Sequence, residues 1–292
     1  MKVQVHIVNS LTDGEAGGNP AGVVIDADAL DTKQRLAVAR KVGLSETAFV
    51  SKSSVATIKL EFFTPTRQIA HCGHATIATF SLLRQLGRVS DGKVTKETVD
   101  GYRNILVDDQ SVLMEQGAPA YTSIEARSDL AKKIAESIGL RTADIYRTTS
   151  PTVVNTGNSF LMIALPDGCS VAEVKPDHQA IALISEELDL IGYYLFSRET
   201  VIPGRHAGTR MFAPRFGIPE ESATGTAAGP LACFIYERMG ARDPEMIIEQ
   251  GWMMQPASPS IIKIILDIED GKVARLMAGG SATIKQSALV EI

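Results

Sequence analysis

The chain has 292 residues, 45% hydrophobic and 22% charged, enough apolar material for a sizeable core in each of two domains of about 150 residues. That composition excludes a disulfide-stapled miniprotein and disorder throughout. With 29 Lys and Arg against 34 Asp and Glu, the net charge is −5 and neither sign forms a long block, which argues against a nucleic-acid partner and against a polybasic membrane anchor.

Residues 3–8 alternate apolar Val3, Val5 and Ile7 with polar Gln4 and His6, a strand pattern without the continuous apolar core of a secretory signal. No run reaches the roughly 18 to 20 apolar residues of a membrane span. Further strands are predicted at 22–26, 47–51, 55–63, 104–108 and 111–115, with turns such as Asp91-Gly92 and Asp100-Gly101 between them. Short strands and frequent turns predict antiparallel sheet. Asp31 and Gln34 form a predicted capping box, after which Leu36, Ala39 and Val42 keep helical spacing up to Gly43.

A second helix is predicted over 74–86 with a stop at Gly87, and a third over 226–239 with a stop at Gly240. Both are apolar or small nearly all round, the pattern of a helix buried on most sides. Pro230 predicts a kink or a late start in the third. The cysteines Cys72, Cys169 and Cys233 are odd in number and widely spaced, so neither a disulfide framework nor a paired zinc knuckle can be read from them. The reading is a soluble protein of a reducing, cytoplasmic compartment.

The two buried helices belong to a repeat. Glu61-Phe62-Phe63-Thr64-Pro65-Thr66-Arg67 precedes Cys72-Gly73-His74-Ala75-Thr76, and Thr209-Arg210-Met211-Phe212-Ala213-Pro214-Arg215 precedes Ser222-Ala223-Thr224-Gly225-Thr226, an offset of 149 to 150 residues. Gly18-Asn19-Pro20-Ala21-Gly22 and Thr156-Gly157-Asn158-Ser159 form an earlier pair. Two copies of one module predict an α+β fold of two pseudo-symmetric halves, 1–118 and 119–278, each a mostly antiparallel barrel around a central helix. Small-molecule sites commonly lie in the cleft between such halves. Each buried helix starts at a glycine-bearing turn, where free N–H groups favour an anion such as a carboxylate.

His74 opens the first buried helix; its competing reading is a polar cap over a core helix. Glu46 stands at the lip of a strand, either as a solvated turn residue or as a carboxylate able to take a proton from carbon and return it elsewhere. In the repeat, Cys72 falls opposite Ser222, and serine is too weak a base for a two-thiol racemase, so Cys72 reads first as a small buried hydrophobe. His71 reads as a surface or rim residue, and Cys169 and Cys233 as structural.

The motifs Gly18-Asn19-Pro20-Ala21-Gly22, Leu44-Ser45-Glu46-Thr47-Ala48-Phe49, Phe63-Thr64-Pro65 with Cys72-Gly73-His74-Ala75-Thr76, and Gly217-Ile218-Pro219-Glu220-Glu221-Ser222-Ala223-Thr224-Gly225-Thr226 resemble the phenazine-biosynthesis-protein-like isomerase family over nearly the whole chain. The resemblance implies a diaminopimelate epimerase-like fold, with closing strands at 279–292 completing the first module. It also implies that Glu46 is the acid/base, that His74 positions substrate and steers the proton, and that Glu221 is a third catalytic group. Asn19, Ser45, Gly73, Gly225 and Thr226 are the implied substrate-binding residues. The second motif departs from the family's usual Glu-Asp-Pro-Ala-Thr-Gly-Ser: Glu221 replaces an aspartate and Thr226 a serine, which alters reach and fit.

The preferred expectation is a cofactor-independent isomerase of a small carboxylic acid, with no metal and no nucleotide or pyridoxal motif. A racemase or epimerase pairing Cys72 with Glu221 is the enzymatic rival. A non-catalytic small-acid binding protein is the third reading. Exposed sheet faces in such modules can pair as a homodimer.

Overall fold

The structure, a computed structural model, describes residues 1–99 and 101–292; Asp100 of the predicted Asp100-Gly101 turn lies outside the described residues. The chain divides into two compact units, Met1–Glu115 with Gly279–Ile292, and Gln116–Ala278.

The first unit opens with β1 (Lys2–Ser10), antiparallel to β2 (Asn19–Val24). β2 begins earlier than its apolar run because Asn19 and Pro20 already pair with Ser10 and Asn9, and it ends before Asp26, which turns the chain at φ 57°. In α1 (Thr32–Val42) the capping box forms: Asp31 accepts from the Gln34 N–H at 2.8 Å, Gln34 Oε1 accepts from the Asp31 N–H at 3.0 Å, and Gly43 closes the helix at φ 70°. Next, β3 (Thr47–Ser51) runs parallel to β2 and antiparallel to β4 (Ile58–Phe63). β4 is shorter than predicted, since Ser53 Oγ accepts from the Val55 and Ala56 N–H groups and curls that stretch into a turn.

After β5 (Gln68–Ile69) comes α2 (Gly73–Gln85), then β6 (Gly92–Thr98), β7 (Gly101–Val107) and β8 (Val112–Gln116). α2 is buried from His74 through Leu83, and strands on several sides, β1, β2, β3 and β7, pack against it. Its small residues let those backbones approach. The threonines inside it satisfy their hydroxyls locally, Thr76 donating to the Cys72 carbonyl at 2.6 Å and Thr79 to that of Ala75 at 2.7 Å.

In the second unit the order is β9 (Ala120–Ser123), α3 (Asp129–Ser137), α4 (Thr142–Ile145), β10 (Thr152–Asn155), β11 (Ser159–Ala164), α5 (Gly168–Ala172) and α6 (His178–Glu187). It continues with β12 (Gly192–Ser197), β13 (Ala207–Ala213), β14 (Ile218–Glu221), α7 (Gly225–Arg238), β15 (Glu245–Gln250), β16 (Ser260–Glu269) and β17 (Lys272–Gly280). Finally β18 (Ala282–Glu291) pairs along β1 from Ser10 to Lys2, returning to the first unit.

The repeat is visible in the pairing. β11 and β12 are parallel across helices as β2 and β3 are, β13 follows antiparallel to β12 as β4 does to β3, and β13 and β15 are parallel across α7 as β4 and β6 are across α2. α7 starts at Gly225 and carries Pro230 inside it, so the helix does not start late. The residue before each buried helix is Cys72 in one copy and Thr224 in the other, a spacing of 152 residues. Cys72 therefore corresponds to Thr224, not to Ser222. The extra length lies in the 3₁₀ turn Pro214–Phe216 and in β14, which is longer than the two-residue β5.

Candidate active site

Glu46 is fixed by the strand that follows it. Its carbonyl accepts from the Gly22 N–H at 3.1 Å, extending the parallel β2–β3 pairing by one residue. Gly22 has no room for a side chain: a Cβ there would lie 2.8 Å from Thr47 Oγ1 and 3.1 Å from its Cγ2. The glycine of the Gly-Asn-Pro-Ala-Gly motif thus accommodates the threonine after Glu46, locking two motifs that are distant in sequence. Ser45, by contrast, is exposed.

His74 comes from the first turn of α2, and the two side chains meet inside the unit. Glu46 and His74 are each 7% exposed, with Glu46 Oε2 and His74 Nε2 3.4 Å apart. Neither of these atoms has a hydrogen-bond partner in the protein. On the other side of the ring, Nδ1 lies 3.6 Å from the Cys72 Sγ. Burial holds His74 below its ordinary pKa, opposed by the Glu46 charge and by a hydrogen bond to the Pro20 carbonyl, so the ring is neutral at neutral pH. Asn19 is buried next to Pro20, and its carbonyl accepts from Ser10 Oγ at 3.3 Å. The result is a carboxylate, a neutral imidazole and a thiol gathered at the mouth of a helix, with Glu46, Cys72 and His74 ligand atoms all within 4.8 Å of one another.

His71 is half-buried, not on the surface, because its Nδ1 lies 3.4 Å from the fully buried Lys96 amine. Burial, then the Lys96 and Arg103 charges, hold it well below its ordinary pKa. Lys96 also donates to Thr76 Oγ1 at 2.7 Å, tying β6 to α2.

In the second unit Glu221, Gly225 and Thr226 are half-buried around the start of α7. Glu220, beside them, is held by Arg210 through two 2.8 Å hydrogen bonds and is structural. Around Gly225 the space is open, since an added Cβ would meet nothing within 4 Å. Sequence reasoning missed what holds this turn. Gln250, 1% exposed, donates to the Glu221 carbonyl at 2.8 Å and Thr224 Oγ1 at 3.1 Å, and accepts from the Thr224 N–H at 3.1 Å and the Tyr194 hydroxyl at 2.9 Å. Gln116 donates to the Gly225 carbonyl at 3.0 Å. A polar residue ending the alternating strand β15, followed by Gly251 at φ 80°, was the only signal for Gln250. Cys233 is buried, its thiol pushed up by burial and Glu237, and Cys169 is exposed.

The family model described as phenazine biosynthesis-like protein matches residues 8–287. The chain belongs to this family. It is 29% identical over 292 residues to an uncharacterized isomerase, YddE, of Escherichia coli, covering 97% of each chain. To the trans-2,3-dihydro-3-hydroxyanthranilate isomerase of Pseudomonas chlororaphis it is 26% identical, covering 98% of this chain and 93% of that one. A solved Bacillus anthracis phenazine biosynthesis protein superposes with a TM-score of 0.89 at 27% identity, covering both chains fully. This phenazine biosynthesis-like chain has the epimerase-like α+β fold and is a member of an isomerase family. Among the described residues no helix is long and apolar enough to cross a membrane.

Proposed function

We propose that this protein is a cofactor-independent isomerase that moves a proton between two carbons of a small carboxylic acid, with Glu46 as the acid/base. The observation that carries the reading is the pair of facing atoms, Glu46 Oε2 and His74 Nε2, buried 3.4 Å apart without protein hydrogen-bond partners. A buried polar atom left unpaired costs about 1–3 kcal/mol, a cost that native proteins keep at sites where a ligand supplies the partner.

In this scheme the substrate carboxylate rests on the free N–H groups at the start of α2, at Gly73 and His74. Glu46 takes the proton from one carbon and delivers it to another, so no proton is gained or lost overall. Neutral His74 orients the reacting edge and limits where the proton returns. Asn19 and Ser45 belong to the same binding surface in this reading. Glu221, Gly225 and Thr226 build a second anion site at the start of α7.

The test is hydrogen exchange with deuterated solvent, followed by proton NMR, on a panel of cyclic and amino carboxylic acids led by trans-2,3-dihydro-3-hydroxyanthranilate. At least one acid is expected to incorporate deuterium with wild-type protein and not with Glu46→Gln. Ligand binding without exchange at any carbon would instead support the non-catalytic binding protein. The racemase reading draws on the Cys72–His74 contact and takes Glu221 as its second base; the position that matches Cys72 in the second copy is Thr224, not a cysteine. Inactivation by a thiol reagent that is abolished in Cys72→Ala, with Glu46→Gln still active, would favour it.

A further inference from the structure

We infer that Cys72, His74 and Glu46 form a binding site for one thiophilic divalent cation, Zn²⁺, which reversibly blocks the proton-transfer site. That the cation inhibits rests on the proposed role of Glu46; that it binds does not. The donor set is a thiol, an imidazole and a carboxylate, one of each. This mixture suits zinc, whereas Mg²⁺ and Ca²⁺ prefer oxygen donors alone.

The spacing is close to what a tetrahedral ion needs. With Zn–S of about 2.3 Å and Zn–N and Zn–O of about 2.0–2.2 Å, neighbouring donor atoms stand roughly 3.3–3.6 Å apart. Here Cys72 Sγ lies 3.6 Å from one ring nitrogen of His74, Nδ1, and Glu46 Oε2 lies 3.4 Å from the other, Nε2; one donor atom from each of the three residues lies within 4.8 Å of the other two, so a single ion requires one flanking side chain to swing toward the ring nitrogen it uses. One ring nitrogen binds the ion while the glutamate closes the remaining gap by rotating its side chain.

Two further observations favour a ligand at this point. Glu46 Oε2 and His74 Nε2 are buried and unpartnered, so an incoming cation gains their lone pairs without first breaking a protein hydrogen bond. Cys72 directly precedes the thirteen-residue α2, which places its Sγ beside the His74 ring. Three protein donors leave a fourth position open to water, the arrangement of exchangeable zinc. Once bound, the ion occupies the lone pair with which Glu46 would accept a carbon-bound proton.

The experiment titrates the purified chain with CoCl₂ and follows absorption, then adds ZnCl₂. The expected result is a thiolate-to-cobalt charge-transfer band that saturates at one cobalt per chain and disappears as zinc displaces it. Cys72→Ser should lose the band while keeping wild-type circular dichroism. Cys169→Ser, which removes the exposed cysteine, should retain it. Should Cys72→Ser fail to fold, His74→Gln and Glu46→Gln serve in its place, each lowering cobalt affinity at least tenfold. No charge-transfer band in the wild type, or one that survives in Cys72→Ser, overturns the site. Zinc should also halt solvent exchange on whichever panel acid the wild type turns over, and chelation should restore it. Zinc bound at Cys72 with exchange undiminished overturns the blockade and counts against Glu46 as the proton carrier. An absent zinc site together with inactive Glu46→Gln removes the metal proposal and leaves the isomerase reading standing.

Discussion

Glu46→Gln separates the chemistry from the fold. The substitution keeps side-chain length and shape and removes only the carboxylate proposed as the base. General acid–base groups contribute about 10²–10⁴-fold to rate. At about 1.4 kcal/mol per tenfold, the variant should therefore lose roughly 3–6 kcal/mol of transition-state stabilisation. Stability should move far less. Glu46 Oε2 has no hydrogen-bond partner in the protein, and the carboxylate and neutral His74 sit 3.4 Å apart, so little native interaction is removed. The expected change is within about 1 kcal/mol, of either sign, since replacing a buried charge by an amide also lowers its desolvation cost. The assay pairs the initial rate of deuterium incorporation with a urea unfolding curve of the same preparation. A variant that is folded, as stable as wild type and still exchanging at the wild-type rate would refute the reasoning. So would a loss of exchange that merely tracks a stability loss of several kcal/mol.

Gly22→Ala places a Cβ 2.8 Å from Thr47 Oγ1 and should destabilise the protein by about 1–3 kcal/mol in urea unfolding, with much of the loss recovered in the double variant with Thr47→Ala. Gln250→Leu strands the Thr224 N–H and the Tyr194 hydroxyl and should cost about 3–5 kcal/mol, read as a lower urea midpoint at unchanged m. His71 and His74 both have pKa values lowered by burial, so above pH about 6.5 neither contributes to pH dependence. As pH falls below that, the unfolded chain takes up protons first and stability should drop by up to about 1.4 kcal/mol per pH unit for each group. His71→Gln should reduce that slope between about pH 6.5 and 5.5 by one group's share.

What could be read beforehand was whatever is local in the chain. The capping box of α1 needs only Asp31, Gln34 and Gly43, and the burial of α2 and α7 follows from their lack of a polar face. Glu46 and His74 stood out because each sits in a short motif, and the fold brings those motifs together. Less was visible where contacts depend on long-range register. Gln250 reaches back to Thr224 and Glu221, and Pro20 meets His74 across β2 and α2, and neither contact leaves a local pattern. The repeat itself was legible, but its alignment at the helix starts was not, because the loop before α7 carries a 3₁₀ turn and a longer strand.

That alignment changes how the two halves compare chemically. Cys72 and Thr224 occupy the same place before a glycine-started buried helix, so the copies offer a thiol in one and a hydroxyl in the other. The thiol stands with His74 and Glu46, whereas the Thr224 hydroxyl accepts from buried Gln250. In the second copy, then, the equivalent group is tied into a structural hydrogen-bond network, while in the first it faces an imidazole whose other nitrogen is unpartnered. Among the described residues, the buried Glu and His atoms without hydrogen-bond partners, Glu46 Oε2 and His74 Nε2, lie at the start of α2. This asymmetry favours the proposal that Glu46 carries the proton while the start of α7 serves in binding.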